Sequence, residues 1–131
     1  MSKRISLRSE KGQAVTEFAV VLPILAVLLF GIIQFGIAFK DYLSLTDAVR
    51  AGARKAAVSR NLSDPVGTTR TAVRTAASDL NQSKLPDPVV VSSWNPGTDV
   101  KVSAQYPFRI SLFGIPVVTG NLKSSTTERV E

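Results

Sequence analysis

The sequence predicts an α+β protein, in which a long N-terminal transmembrane helix leads into a small domain with a short helix and three to four antiparallel strands. Three observations predict it. Residues 18–39 form one long apolar run. Residues 40–60 keep a helical composition. From Val89 onward, apolar and polar residues alternate between turn-forming residues. With 131 residues the chain has room for one small domain beside such a helix.

The apolar run, FAVVLPILAVLLFGIIQFGIAF, has 22 residues. As a helix it would measure about 33 Å, against about 30 Å for the hydrocarbon core of a bilayer. Gln34 is its only strongly polar member, so it lacks the polar stripe of a helix buried in a soluble protein. A cleaved secretory signal does not fit. The run exceeds the roughly 7–15 residues of a signal core, and only Ile37-Ala38-Phe39-Lys40 follows, with no small-x-small site. Pro23, inside the run, should bend the helix or free a carbonyl.

Lys3, Arg4, Arg8 and Lys11 precede the run, while Lys40, Arg50, Arg54, Lys55 and Arg60 follow it. By the positive-inside rule the tally is nearly even. A dozen residues cannot form a domain, however. The N-terminus is therefore expected in the cytoplasm and the C-terminal domain outside it. The expected division is a basic leader over 1–12, a long helix over 13–60 with its span at 18–39, and an extracytoplasmic α+β domain over 61–131.

Beyond the run, KDYLSLTDAVRAGARKAAVSR is rich in Ala, Leu, Arg and Lys, with Gly52 as its one weak helix former. Leu45, Ala48, Val49, Gly52, Ala53 and Ala56 recur at three- and four-residue spacing, a stripe of small side chains. Pro65 denies helix to Asp64 and ends the element. A second helix is expected over Thr68–Asn81, with Ser63 or Asp64 able to cap its start. Val89–Trp94 and Asp99–Phe108 read as strands joined by Asn95-Pro96-Gly97-Thr98, where Pro fixes φ and Gly accepts positive φ. Ile110–Val118, interrupted by Gly114 and Pro116, has no defined pattern, and residues 121–131 alternate as a last strand.

The composition narrows the chemistry. There is no histidine and no cysteine, so the commonest general base, the commonest transition-metal ligand, thiolate metal sites and disulfides are all missing. No Ser or Thr has a base at a recognisable spacing, and no catalytic, cofactor-binding or metal-binding residue is expected. The net charge of +6 could suit nucleic acid, anionic lipid or water alone. Its bases are not interleaved with aromatics, so membrane lipid is the expected partner and nucleic acid is not.

The informative cluster is Lys11-Gly12-Gln13-Ala14-Val15-Thr16-Glu17-Phe18, set directly against the run. Glycine imposes no side chain on a protease, so a cut after Gly12 would leave Gln13 as the new N-terminus and Glu17 as its fifth residue. A carboxylate just inside the hydrocarbon boundary costs a few kcal/mol at depth unless paired. The α-amino group of a neighbouring cleaved subunit, offset by about four residues, would pair with it. A glutamate among headgroups is the plainer alternative. Gln34 could bond to another helix or face headgroups. Arg50, Arg54 and Lys55 could meet lipid phosphates, a partner's acids, or water.

The segment KGQAVTEFAVVLPILAVLLFGIIQFG resembles the N-terminus of TadE-like proteins of tight-adherence (Tad, Flp) pilus systems. Gly12, Glu17, Phe18, Leu22-Pro23, Phe30-Gly31 and Phe35-Gly36 stand at the family's positions. After the span, Arg50 and Gly52-Ala53-Arg54 resemble the family's Ala-Arg-x-Gly-Ala-Arg segment. The resemblance implies a minor pseudopilin in a bacterial inner membrane, matured by a prepilin peptidase and partnered by other pilins or pseudopilins and the pilus assembly platform. Gly12 and Gln13 would then flank the cut, and Glu17 would be the acid needed for processing or subunit registration. Phe18, Pro23, Gln34, Arg50, Gly52 and Arg54 would serve helix packing and assembly. Phe18 departs from the Tyr that major Flp pilins carry there. Two other readings stay open, an uncleaved single-span membrane protein that binds a ligand or partner, and a DNA-contacting pilin.

Overall fold

A computed structural model describes residues 7–131, with side chains from Gly12 onward. Helix α1 runs over Leu7–Ala57, 51 residues or about 77 Å. It begins before the expected Gln13 and stops short of Arg60. Its last carbonyls find other donors: the Ser59 N–H donates to the Ala56 carbonyl at 3.0 Å and the Glu131 N–H to that of Ala57 at 2.9 Å. The chain's own C-terminus thus closes its first helix.

Helix α2 covers Pro65–Ala76, displaced toward the N-terminus from the expected Thr68–Asn81. Asp64 caps it, its Oδ1 accepting from the Gly67 N–H at 2.8 Å, and Pro65 fills the first position, which needs no N–H. Helix is lost beyond Ala77 because side chains outcompete it. Gln82 Nε2 donates to the Ala77 carbonyl at 2.7 Å, and Asn81 Oδ1 accepts from the Ser83 N–H and hydroxyl at 3.0 and 2.6 Å.

Three antiparallel strands follow in the order β1-β2-β3: β1 at Val89–Ser92, β2 at Asp99–Leu112 and β3 at Ile115–Arg129. Gly97, at φ 78°, turns the first connection as the Asn-Pro-Gly signal predicts. The stretch Ile110–Val118, undefined by its sequence pattern, is the tip of a long hairpin. Leu112 pairs with Ile115 across Phe113 and Gly114, both at positive φ (50° and 84°), the geometry of a tight primed turn.

One face of β2, carrying Val100, Val102, Ala104 and Tyr106, packs on Leu45, Ala48, Val49, Ala53 and Ala56 of α1 and on Val73 of α2. Each fully buried valine or leucine contributes about 1.5–3 kcal/mol. The small-residue stripe of α1 admits both the sheet and α2. At Gly52 the approach is closest, since an added Cβ would fall on the Val73 side chain. Val130, 1% exposed, completes the core from the far end of the chain.

Candidate processing and assembly segment

The residues singled out from the sequence lie in three places along α1. Gly12, Gln13, Glu17 and Phe18 occupy its N-terminal part, exposed and helical. The Thr16 hydroxyl donates to the Gly12 carbonyl at 2.9 Å, and Gln13 Nε2 donates to Glu17 Oε1 at 3.0 Å. Together these bonds tie down the turn that follows Gly12. From Gly12 to Lys40 the helix rises about 42 Å, so this turn and the domain stand at opposite ends of the apolar run.

Pro23 and Gln34 lie within that run. The helix continues through Pro23 without interruption. The run is long and apolar enough to cross a membrane, and none of its most apolar stretch is buried. Such a surface is unfavourable in water and suits lipid or other helices. Gln34 is half-buried, as are Ala26 and Ala38, at the four- and eight-residue spacings that mark one helix face. Phe30 lies on that face, and its ring meets Phe113 of the hairpin tip edge-on, with centroids 5.8 Å apart and planes at 65°.

Arg50, Gly52 and Arg54 belong to the domain. Gly52 is buried against α2. Arg50 is exposed, its Nη1 3.9 Å from Asp47 Oδ1, a surface pair of little energetic weight. Arg54 is exposed beside the C-terminal residues Glu128–Glu131.

Two polar clusters went unnoticed in the sequence. At the domain end of the run, Lys40 Nζ lies 3.1 Å from Asp79 Oδ2, and the Ser44 hydroxyl donates to the same oxygen at 2.5 Å. The Ser44 hydrogen bond, reinforced by Lys40, holds the Asp79 carboxyl below its ordinary pKa, and the hydrogen bond that Lys40 donates to Asp79 raises its own. On α2, Arg74 binds Asp87 at 2.6 Å and the Leu85 carbonyl at 3.2 Å, while Arg70 Nε donates to the Pro88 carbonyl at 3.1 Å. Arg74 likewise holds the Asp87 carboxyl below its ordinary range. These arginines clamp the loop that leads into β1. The partners are too far apart in sequence for spacing to reveal them, and only the position of Lys40 directly after the run hinted at a role.

Among the described residues no group of three or more His, Cys, Asp or Glu side chains could hold a metal ion. No curated protein and no solved structure matches the chain. The model of the TadE-like protein family matches residues 12–54, from the candidate cleavage turn to the last arginine of the Gly52-Ala53-Arg54 segment. Over that stretch the chain is similar to TadE-like proteins.

Proposed function

We propose that this protein is a minor pseudopilin of a Tad (Flp) pilus. Helix α1 holds it in the bacterial inner membrane, with the N-terminus in the cytoplasm and the domain outside. A prepilin peptidase cuts between Gly12 and Gln13, and the matured chain helps to initiate or assemble the pilus. The observation that carries this reading is Gly12-Gln13 and Glu17 set directly before a membrane-length apolar run that begins at Phe18, inside the stretch similar to TadE-like proteins.

The physical logic runs from the turn after Gly12 outward. Cleavage requires that turn to open. Glycine lowers its helical stability by about 1 kcal/mol relative to alanine, so little opposes opening beyond the two side-chain bonds. Once cut, the chain offers an α-amino group at Gln13 and a carboxylate at Glu17, one helical turn or about 6 Å apart along the axis. A neighbouring subunit shifted by that turn would place its amine against Glu17 and neutralise a charge that lipid penalises. Exposed apolar side chains from Phe18 onward would then pack against other pilins, and Arg50 and Arg54 would face acidic groups of partner subunits or lipid phosphates. The role is structural, and the chain is the peptidase's substrate.

The test is complementation in the native host. Deleting the protein should abolish or sharply reduce surface pili, wild type should restore them, and Glu17→Ala should not. Unchanged piliation on deletion would contradict the proposal.

A further inference from the structure

We propose that the tip of the β2–β3 hairpin, residues 110–118, is a second membrane-contacting element, seated among lipid acyl chains of the leaflet nearest the domain. The inference rests on the reading of α1 as a membrane span and adds to it a specific depth for the domain.

The tip is apolar almost throughout. Between Arg109 and Thr119 only Ser111 is polar, and Phe113, Ile115 and Val117 are 75%, 69% and 62% exposed. A patch of this kind on a domain meant for water calls for a partner. Its position names the partner, because Phe113 rests on Phe30, a residue inside the apolar run itself.

Two independent lengths agree on the depth. Phe30 lies nine residues before Phe39, the end of the run, or about 14 Å along the helix. Arg109, the last charge on β2, lies four residues before Phe113, or about 13 Å along a strand. The polar boundary on the hairpin therefore comes level with the polar boundary on the helix, near Lys40. The fold fixes this level separately. The Asn81 N–H donates to the Tyr106 hydroxyl at 3.2 Å, and Asp79, two residues earlier, binds Lys40. Lys84 and Arg109 share a shallow hollow at the hairpin's base, at the height where anionic headgroups would lie.

Open sheet edges are costly in hydrocarbon, and the tip limits that cost in two ways. The primed turn pairs Leu112 with Ile115, and Pro116 on the edge strand has no N–H to leave unpaired in hydrocarbon. With the tip seated, the domain would hang from two points, and its orientation about α1 would be fixed relative to the membrane.

Since the chain has no cysteine, single-cysteine labelling tests this directly in the full-length protein. Phe113→Cys, Ile115→Cys, Ile33→Cys and Lys123→Cys, each carrying an NBD fluorophore, are reconstituted into vesicles of phosphatidylethanolamine and phosphatidylglycerol in equal parts. The labels at 113 and 115 should lose emission when doxyl-labelled lipid is included and resist aqueous iodide, as the label at 33 does. The label at 123 should show the reverse. Iodide quenching at 113 and 115, with 33 still quenched by lipid, would overturn the hairpin proposal and leave the span intact. Shielding of 113 and 115 from both quenchers would also overturn it, in favour of contact with a second copy. Loss of lipid quenching at 33 would overturn the span and the hairpin proposal with it.

Discussion

Gly52 lies where α1 and α2 touch, and its missing side chain is what allows them to. A methyl group there would occupy the space of the Val73 side chain, with the Thr69 carbonyl also close. Gly52→Ala should therefore destabilise the domain by about 1–3 kcal/mol, the usual cost of overpacking, and lower its melting temperature in detergent micelles. Gly31→Ala is the matched control, because an added Cβ at Gly31 meets nothing within 4 Å. Equal melting temperatures for the two variants would contradict the assigned contact. At this scale the sequence was only partly legible. Gly52 belongs to a small-residue stripe that any sequence reader would mark, but whether the stripe faces a neighbouring subunit or the chain's own α2 depends on how the chain folds back at Pro65. Phe113 and Trp94 gave no signal at all, since neither residue type advertises the positive φ it adopts.

The elements differ in how visible they were. Helix α1 follows from a run too long and too apolar for anything else, and the start of α2 from Asp64-Pro65. The hairpin tip was hidden because its turn is Phe-Gly where Asn-Gly or Asp-Gly is the usual marker, and because its residues are apolar on both faces and do not alternate. The tether between α1 and α2 was hidden for another reason: Ser44 and Asp79 are 35 positions apart. Its behaviour with pH has a definite sign. Asp79 has a lowered folded pKa, so its contribution is complete above the ordinary aspartate value of 3.8 and is lost as pH falls through the folded value. Lys40 has a raised pKa, so its share is complete below the ordinary 10.5 and is lost only as pH rises through the folded value. Between those limits the tether is intact. Wild type should melt above Asp79→Asn near neutral pH, and the gap should shrink as pH falls below about 4. A gap that stays constant across acid pH would show that Asp79 does not act through its charge.

Taken whole, the molecule is a rod with a domain folded around one end. The turn after Gly12 and the domain are separated by a membrane's thickness of apolar helix, which would let them serve different compartments at once. This separation makes the proposed sequence of events coherent. A peptidase in the inner membrane would act on Gly12-Gln13 without meeting the core. Assembly would draw on the exposed helix, while the Lys40–Asp79 tether and the Phe30–Phe113 contact would hold the domain at a fixed height. The candidate site was legible in outline, through Gly12, Glu17 and the run behind them. Subunit contacts were not, because residues such as Arg50 and Arg54 project to the surface of a single chain and acquire meaning only from what lies opposite.

The most direct measurement is the N-terminal sequence and intact mass of the protein purified from its native membranes, beside a Gly12→Ala variant. The account predicts that wild type begins at Gln13, its 12-residue leader gone, and that the variant keeps its full length. If both retain the leader while the peptidase is demonstrably active in the same cells, the chain is not a processed pseudopilin, and an uncleaved membrane-anchored binding protein takes its place.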